Sequence, residues 1–402
     1  MKLDRLLCLD DFAAEARKKL PRCLFEFVEG GAQDAVSLRD NRAAFECIRL
    51  RPRVLRDTSA RNTQTTTLGQ EWSAPFGIAP MGGVGLAAYR GDLALARAAA
   101  KARVPFILSG SSLVPLEQVQ RENPDAWFQI YASERHEDNV RLLERASASG
   151  VRTLVVTVDV PVAGNRERDI RNGFGSPLRP SLRLACDGLT HPRWLVGTFG
   201  RTLVRDGMPH FENFAASRAP VISRTAARVH RRDNLSWDTL QRLRAQWKHR
   251  LVLKGLLSSL DVQAAAQSGI DGVVVSNHGG RQLDGTVAPV SVLPEAQRVK
   301  GSMELFFDSG VRRGADVLKA YGLGASHVFI GRPFLYAAAI AGEEGVLRAI
   351  ELMRAEISRD MALLGCEQLS EVASRIVHTQ GVDHGEAWRP DIFQPPRDRR
   401  QA

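Results

Sequence analysis

The amino-acid sequence predicts an α/β protein folded as a (β/α)8 or TIM barrel, with a helical segment before the barrel and a long insertion after its fourth strand. Eight short β-rich apolar runs recur along the chain, and most are followed by a stretch of helical periodicity. Continuously apolar strands that alternate with helices indicate a parallel sheet covered on both faces. A count of eight favours a closed barrel over an open sheet. The runs are PFGIAPM (75–81), PFILSG (105–110), WFQIY (127–131), TLVVTVD (153–159), LVLKG (251–255), GVVVSNH (272–278), ELFFDSG (304–310) and HVFIG (327–331).

The stretches between these runs predict the barrel helices. The clearest are DLALARAAAKA, HEDNVRLLERASAS, SLDVQAAAQSG and GADVLKAYGLG. Ahead of the barrel, DDFAAEARKKL predicts a further helix, which Pro21 ends because proline cannot continue the hydrogen-bond pattern.

We expect one domain over residues 1–402, since α/β barrels commonly reach this length with insertions. The barrel would occupy about 75–345, an inserted basic loop about 174–233, and a C-terminal helical cap with a polar tail about 344–402. The last residues, PPRDRRQA, are expected to be frayed.

The predicted insertion contains five prolines, no clear helical period, and ten Arg against four Asp or Glu. A loop this long in a compact domain is usually a functional lid or an interaction segment. Its mixture of basic and apolar residues suits adsorption to an anionic bilayer surface, and the alternative is a disordered, solvated loop. The arginines are Arg193, Arg201, Arg205, Arg224, Arg228, Arg231 and Arg232, interleaved with Leu182, Leu184, Trp194, Leu195, Val196, Phe199, Leu203 and Phe211.

Overall composition indicates a soluble, enzyme-sized protein without a membrane span. Apolar residues make up 44% and charged residues 25% of the chain, and no window of eighteen residues is continuously apolar. The net charge of +10 is compatible with a nucleic acid, an anionic membrane or an anionic ligand. A nucleic-acid partner is not expected, because the arginines lie in an irregular loop and at strand ends rather than with aromatic residues on one regular element.

Five scattered cysteines form no CxxC pair and resemble no metal site, so we expect free thiols and no metal. The N-terminal stretch MKLDRLLCLDDF has acidic residues where a secretory signal needs an apolar stretch. We therefore expect a cytoplasmic location, with peripheral attachment to the inner face of the cytoplasmic membrane if the insertion binds lipid.

Chemistry in such barrels lies at the C-terminal ends of the strands. The sixth strand ends in SNHGGRQ, where His278 and Arg281 leave the strand through two glycines. A histidine is the natural acceptor for a proton from an alcohol or a Cα–H, and an arginine offers a fork for a carboxylate.

Two further strand ends carry charged residues. Asp159, at the end of the fourth strand, would hold the imidazolium that forms when His278 takes a proton. Arg166 would be a second carboxylate clamp, with a loop salt bridge as the alternative. Lys254, at the end of the fifth strand, has three candidate roles. These are a Schiff-base nucleophile, a cation that binds an anion, and an ammonium group that stabilises a reduced cofactor.

The last two strands end in DSGVRRG and GRP. Loops at these positions commonly hold a phosphate through glycine N–H groups and a helix N-terminus. The sequence therefore predicts a phosphorylated ligand near Asp308, Gly310, Arg312, Gly331 and Arg332.

The strings SNHGGRQLDG, DSGVRRG with GRP, and GGAQDAVSLRDNRAAF resemble the FMN-dependent 2-hydroxy-acid dehydrogenase and oxidase family. The similarity runs from about Leu20 to about Gly365 and rests on several separated motifs. It implies FMN as cofactor, oxidation of a 2-hydroxy acid to the 2-oxo acid, and a homotetramer.

The resemblance also implies roles for individual residues. His278 matches the catalytic base, Asp159 its carboxylate partner, and Arg281 and Arg166 the arginines for the substrate carboxylate. Lys254 matches the residue at the flavin N1/O2 edge, and Tyr131 a tyrosine of the substrate pocket. Flavin-contacting positions are matched by Pro80, Met81, Gly82, Ser109, Gln129, Thr157 and Ser276, and those around the ribityl chain and phosphate by Asp308, Gly310, Arg312, Gly331 and Arg332.

Phe27 departs from the family pattern, which has a second pocket tyrosine there. The missing hydroxyl removes one charge-assisted hydrogen bond of about 1.5–3 kcal/mol, which disfavours small, carboxylate-anchored substrates. Gly82 and Ser111 stand where glycolate-type members have Ala and a bulky aromatic residue, so we expect room for a large side chain.

The stretches RERDIRN, CDGLTHPRW and DGMPHFENF are most similar to the (S)-mandelate dehydrogenase branch, whose insertion attaches it to the membrane. This similarity implies a mandelate-like substrate and a membrane quinone, rather than O2, as electron acceptor. Two alternatives stay open: a flavin enzyme acting on a modified amino acid or peptide, and a flavin-free aldolase or isomerase using Lys254.

Overall fold

The computed structural model describes residues 2–175, 178–214, 218–222 and 234–378. Eight parallel strands form one sheet in the order β1-β8-β7-β6-β5-β4-β3-β2, and a parallel bridge between Ile78 and Phe106 closes it into a barrel. The predicted fold is confirmed, and every predicted run contains a strand. The strands are β1 (Phe76–Ile78), β2 (Ile107–Ser109), β3 (Trp127–Ile130), β4 (Thr153–Thr157), β5 (Arg250–Leu256), β6 (Gly272–Val275), β7 (Glu304–Asp308) and β8 (His327–Ile330).

Each strand is followed by a helix that packs on the outside of the sheet. The last of these helices, Arg332–Leu364, is kinked at Ala341 and Gly342, where the backbone leaves helical geometry. The helices are α1 (Gly91–Ala102), α2 (Leu116–Glu122), α3 (His136–Ala148), α4 (Trp237–Gln246), α5 (Ser259–Gln267), α6 (Pro289–Val299), α7 (Gly314–Gly322) and α8 (Arg332–Leu364).

The barrel interior is a packed core to which each strand or strand end contributes one buried residue: Ala79, Ile107, Trp127, Val155, Val252, Val274, Phe306 and Phe329. The Trp127 ring packs edge-on against the rings of Phe306 and Phe329, with centroids 5.4 and 5.3 Å away. A filled interior leaves the ends of the barrel as the places where a ligand binds.

The N-terminal segment forms three helices, Leu9–Lys19, Arg22–Glu29 and Val36–Glu46, and Pro21 stands between the first two as predicted. Leu9–Lys19 packs against α8. A short strand, Ile48–Leu50, pairs antiparallel with Ile376–His378 after the C-terminal helix, and a hairpin joins Thr65–Thr67 to Gln70–Trp72. The predicted C-terminal tail beyond 378 lies outside the described residues.

The inserted segment between β4 and α4 is more regular than predicted. It contains helices Glu167–Arg171, Leu182–Leu189, Pro192–Trp194 and Arg201–Asp206, a π-helical turn at Leu195–Gly200, and paired strands His210–Phe211 and Ala219–Pro220. The expectation of no helical structure was therefore wrong for the described part. Arg224, Arg228, Arg231 and Arg232 lie outside the described residues.

Trp194 explains why these short helices form. Its ring is buried and stacks on Phe199 with centroids 5.5 Å apart, and its Nε1–H donates to the carbonyl oxygen of Leu86 at 2.7 Å. Tertiary burial of one large aromatic residue supplies the stabilisation that helices this short lack by themselves. Such a contact between residues far apart in the chain cannot be predicted from sequence periodicity.

Candidate active site

A cavity of about 520 Å³ opens at the C-terminal ends of the barrel strands. Three predicted site residues, Ser109, Asp159 and Ser276, lie just behind its lining and are hydrogen-bonded to residues that form it. The other predicted residues line it: Phe27, Pro80, Met81, Gly82, Gln129, Tyr131, Thr157, Arg166, Lys254, His278, Arg281, Asp308, Gly310, Arg312, Gly331 and Arg332. The fold therefore brings all of the predicted positions together.

His278 and Asp159 form a pair across the top of the barrel. The Nδ1 atom of His278 lies 3.0 and 3.2 Å from the two carboxylate oxygens of Asp159. Burial alone would raise the pKa of Asp159, but the adjoining His278, its hydrogen bond and Lys254 hold that pKa below 3.8. An ionised Asp159 fixes the proton on Nδ1, which leaves Nε2 as the ring nitrogen that can accept a proton.

The backbone of His278 has a φ of 59°, which is uncommon for a residue other than glycine. Its N–H donates to the Ser276 Oγ at 3.0 Å, which holds this turn in place. Because such a conformation persists only where its surroundings impose it, the position of the imidazole is fixed by the fold rather than by the side chain alone.

Gly255 makes room for the pair, a role that no sequence pattern indicated. It lies on β5, between the strands that carry Asp159 and His278, and its φ is 111°. A Cβ atom at this position would lie 2.4 Å from the Asp159 Cγ. Only glycine allows the carboxylate to reach across β5.

Lys254 is buried and held as an ammonium group. Its Nζ lies 2.7 Å from the Asp308 carboxylate and 2.8 Å from the Ser276 hydroxyl, and that hydroxyl donates to Asp308 at 2.5 Å. Burial acts to lower the pKa of Lys254, but Asp308 and Asp159 raise it above its usual value. A Schiff-base lysine must become neutral to attack, so this arrangement disfavours the flavin-free aldolase or isomerase.

Two half-buried arginines donate hydrogen bonds to carbonyl groups of the N-terminal segment. Arg281 donates to the carbonyl of Phe27 at 2.6 Å, and Arg332 donates to Val28 at 2.7 Å and to Gly30 at 2.9 Å. Burial, together with Arg166 and Arg332, lowers the pKa of Arg281 to about 9. Guanidinium groups that lower one another's pKa in this way are stabilised by a bound anion.

Arg166 lies on the same wall and is about one quarter exposed. Its closest carboxylate among the described residues is that of Asp169, at 3.9 Å. The alternative role predicted for Arg166, a salt bridge within the loop, is therefore a long and weak contact. Asp169 is buried and lines the cavity, and burial raises its pKa.

Phe27 occupies the centre of an aromatic and cationic stack. Its ring packs on Phe174 with centroids 4.2 Å apart, and the guanidinium carbons of Arg281 and Arg166 lie 4.8 and 5.9 Å from its centroid. The ring donates no hydrogen bond to a carboxylate, but it positions both arginines through cation–π contacts.

The cavity also offers polar groups that suit a flat heterocycle and a phosphate. Gln129 Oε1 accepts from the Ser109 hydroxyl and the Gly110 N–H, both at 3.2 Å, whereas its buried Nε2 has no partner among the residues that the structure describes. An oriented amide donor of this kind fits a ring carbonyl or ring nitrogen. On the other side, Gly310, with a φ of 88°, and Arg312 offer an anion site at the end of β7.

Several lining residues were not predicted from the sequence, and Phe211 was predicted only as a membrane contact. The others are Asp169, Ala163, Phe174, Leu178, Phe214 and Val221. Apart from Ala163, each belongs to the inserted segment or its first helix, where no strand pattern marks which side chains turn inward. The motif RERD contained a signal for Asp169, because the third residue of a helix lies close to the N-cap residue, here Arg166.

Comparison with known proteins agrees with this geometry. The sequence profile of the FMN-dependent dehydrogenase family matches residues 16–379. (S)-Mandelate dehydrogenase of Pseudomonas putida is 40% identical over 94% of this chain and 95% of its own length. L-Lactate dehydrogenase of Ectopseudomonas mendocina is 38% identical over 91% of this chain and 97% of its own.

Solved structures show the same similarity. The crystal structure of the monotopic membrane protein (S)-mandelate dehydrogenase has a TM-score of 0.85 at 37% identity, and the match covers 93% of this chain and 100% of that one. A structure of mandelate oxidase with (S)-2-phenylpropionate has a TM-score of 0.78 at 35% identity, and the match covers 94% of this chain and 99% of that one. A family profile that covers most of the chain, a matching barrel and a fitting donor set lead to one conclusion: the chain belongs to the FMN-dependent dehydrogenase family, and its cofactor is FMN.

Proposed function

We propose that this protein oxidises an L-2-hydroxy acid with a bulky or aromatic side chain, such as mandelate, to the 2-oxo acid. The observation that carries the proposal is the gathering of His278, Lys254, Arg281 and Arg166 around one cavity, with Asp159 hydrogen-bonded to His278. Bound FMN supplies an acceptor for the two electrons. The relatives named above, a mandelate and a lactate dehydrogenase, support the substrate class.

The arginines bind and orient the substrate. Arg281 and Arg166 bind its carboxylate, since both are cationic, both contact Phe27, and no carboxylate among the described residues lies closer to Arg166 than 3.9 Å. A carboxylate fixed in this way turns the substituents at C2 toward the remaining cavity wall.

His278 moves the proton. Its Nε2 accepts a proton from the substrate, either from Cα or from the hydroxyl group, and Asp159 stabilises the imidazolium that results. Lys254 keeps a positive charge buried beside the cavity, where it stabilises negative charge that develops during the reaction.

Gln129, Thr157 and Lys254 would hold the ring of FMN, and Gly310, Arg312, Gly331 and Arg332 its phosphate. Gly82 and Ser111 both line the cavity, and the small size of both residues supports the choice of a bulky substrate. A Cβ at position 82 would lie 2.9 Å from the Ser111 Cβ, so only glycine fits beside Ser111 without displacing it. The second candidate, a flavin enzyme for a modified amino acid or peptide, is favoured only by the missing hydroxyl at Phe27.

Anaerobic mixing of the purified holoenzyme with (S)-mandelate is expected to bleach the visible flavin absorbance and to yield the 2-oxo acid. (R)-Mandelate and an amino acid of equal size, phenylglycine, serve as controls and should leave the spectrum unchanged. Bleaching by phenylglycine but by no 2-hydroxy acid would favour the second candidate and overturn the first.

We propose further that the inserted segment attaches the protein to the inner face of the cytoplasmic membrane, where a quinone reoxidises the flavin. Leu182, Val196 and Val204 of this segment are 86%, 73% and 84% exposed, and Arg193 and Arg205 of the same segment are exposed as well. Exposed apolar and basic side chains in one segment suit adsorption to an anionic bilayer. Within the described part of the chain, no helix has the length and apolar character needed to cross a membrane. The similar mandelate dehydrogenase is described as a monotopic membrane protein.

Cosedimentation with vesicles that contain phosphatidylglycerol is expected for the wild type and to be lost in the double variant V196E/V204E. The matched control is L260E, since Leu260 is an exposed apolar residue on α5, outside the segment. Equal sedimentation of both variants would contradict membrane contact through these residues.

Faster reoxidation of the flavin by a soluble ubiquinone analogue than by O2 would support a quinone as the electron acceptor.

The homotetramer stays a prediction. Light scattering of the holoenzyme would test it by measuring the mass of the assembly.

A further inference from the structure

Three consecutive residues after β6 adopt the left-handed backbone conformation. The φ values of His278, Gly279 and Gly280 are 59°, 68° and 72°, and these three residues are hereafter called the His278 turn. Glycine adopts this conformation freely, whereas it is unfavourable for a histidine. Contacts from the rest of the protein must therefore hold the His278 turn in its shape.

Each of the three backbone N–H groups of the His278 turn donates to a buried side chain beside the turn. The pairs are His278 with the Ser276 Oγ at 3.0 Å, Gly279 with the Ser309 Oγ at 3.0 Å, and Gly280 with the Asn277 Oδ1 at 3.1 Å. Both serine hydroxyls donate in their turn to the Asp308 carboxylate, which orients them. The orientation of the Asn277 amide is set from a different part of the fold.

Asn41, in the N-terminal helix Val36–Glu46, orients the Asn277 amide. The Nδ2 of Asn41 donates to the Oδ1 of Asn277 at 2.8 Å, and the Nδ2 of Asn277 donates back to the Oδ1 of Asn41 at 2.7 Å. Asn41 is 1% and Asn277 is 4% exposed, so solvent does not compete for these bonds. Because turning either amide would set donor against donor, this reciprocal pair allows one orientation of each. Asn41 thereby fixes the oxygen atom that accepts from Gly280.

The helix that carries Asn41 is tied to the polypeptide around the His278 turn. Asp284, four residues after Gly280, accepts from the Ser37 N–H in the first turn of the helix at 2.8 Å. A Cβ atom at Gly280 would lie 2.7 Å from the Leu38 backbone nitrogen, so the turn and the helix pack backbone against backbone. The helix therefore holds Asn41 at a fixed place relative to the turn.

Asn41 acts from behind the cavity. Neither Asn41 nor Asn277 is among the described residues that line the cavity, whereas His278 is. An effect of Asn41 on the reaction must therefore pass through the residues of the turn.

We propose that Asn41 is a positioning residue for proton transfer, because its amide pair with Asn277 holds the His278 turn in the conformation that presents the imidazole to the substrate. This inference rests on the proposed function, in which His278 is the base, and adds to it a residue outside the cavity. Without the Asn41 amide, the Asn277 side chain is free to rotate and the Gly280 N–H loses its fixed acceptor. A displacement of about 1 Å in a catalytic group lowers a rate by as much as about 10²-fold.

The first measurement compares N41A with the wild type, both as FMN-bound holoenzyme. Flavin reduction by (S)-mandelate, followed by anaerobic stopped-flow absorbance, is expected to be about 10- to 100-fold slower in N41A. The dissociation constant of benzoate, an inert aromatic carboxylate, should change less than about threefold, because Arg281 is held separately by its hydrogen bond to the Phe27 carbonyl. Losses of equal size in the rate and in benzoate affinity would overturn the proposal.

The matched control is N123A. Asn123 is also a buried amide, 3% exposed, and its side chain donates to the Ala96 carbonyl at 3.1 Å. It lies in the loop before β3, at the end of the barrel opposite the cavity. N123A should lower the Tm as N41A does, but its rate of flavin reduction should stay within twofold of the wild type. Equal slowing in the two variants would mean that Asn41 contributes only to folding.

A double variant tests whether Asn41 acts through His278. In the H278N background no imidazole remains to be positioned, so adding N41A should change the residual rate of flavin reduction less than twofold. A further loss as large as that in the wild-type background would overturn the proposal. If N41A does not retain FMN, N41S takes its place, since serine keeps a polar group at this position.

A crystal structure of the N41A holoenzyme separates this inference from the proposed function. The imidazole of His278 is expected to move by about 1 Å relative to Asp159. An imidazole that keeps its place, with Nδ1 3.0 Å from the Asp159 carboxylate, would overturn the positioning role. If no 2-hydroxy acid bleaches the wild-type flavin, the proposed function fails, and a displaced imidazole in N41A would still support the role of Asn41 in holding the turn.

Discussion

Replacing His278 with asparagine is expected to slow flavin reduction by (S)-mandelate about 10²- to 10⁴-fold, the contribution typical of a positioned general base. Asparagine is the informative substitution because the backbone at this position has a φ of 59°, which asparagine tolerates better than most residues. The turn therefore keeps its shape and only the imidazole is lost. Anaerobic stopped-flow absorbance of the flavin measures the rate.

The control for His278→Asn is the amount of FMN bound, which should equal that of the wild type, since the variant keeps the His278 N–H that donates to Ser276. The affinity for an inert carboxylate should also stay within a few-fold, because Arg281 and Arg166 are untouched. An unchanged rate of flavin reduction would show that another group takes the proton.

Lys254→Met is expected to lower the free energy of unfolding of the protein by about 3–5 kcal/mol, because it leaves one half of a buried ion pair. The Lys254 Nζ lies 2.7 Å from Asp308, and both side chains are less than one tenth exposed. Methionine keeps much of the length and volume of lysine, so loss of charge dominates. Urea unfolding followed by circular dichroism measures the change.

Two companion variants make the result specific. Lys254→Met combined with Asp308→Leu removes both charges and should recover part of the stability, since no unpaired carboxylate then remains buried. Lys101→Met breaks the ion pair with Glu343, in which Lys101 is 65% exposed, and should cost less than about 1 kcal/mol. A loss for Lys254→Met no larger than that for Lys101→Met would mean that the buried pair does not stabilise the fold.

The positions of the catalytic candidates were predictable because the rule that places them is local. Residues such as Asp159, Lys254 and His278 follow apolar strands directly, and parallel strands in a barrel bring all their C-terminal ends to one rim. Knowing the strand pattern was therefore enough to predict that these residues meet. The pairing of His278 with Asp159 and the burial of Lys254 against Asp308 agree with that prediction.

The inserted segment was not predictable in the same way. Its short helices depend on the hydrogen bond from Trp194 to the Leu86 carbonyl, and the cavity lining around Phe211 and Phe214 depends on the hydrogen bonds of Asn213 with Val114 and Leu116. These contacts join residues about a hundred positions apart, and no periodicity records them. The expectation of a segment without helices failed for this reason.

Sequence by itself determined the barrel and the rim of charged residues, because strand periodicity and strand-end chemistry are encoded in neighbouring positions. Only the tertiary structure decided that Gly255 leaves room for Asp159, that Phe27 stacks between two arginines and Phe174, and that the insertion supplies a wall of the cavity. Each of these depends on the distance between side chains from separate elements, and that distance is fixed when the core packs.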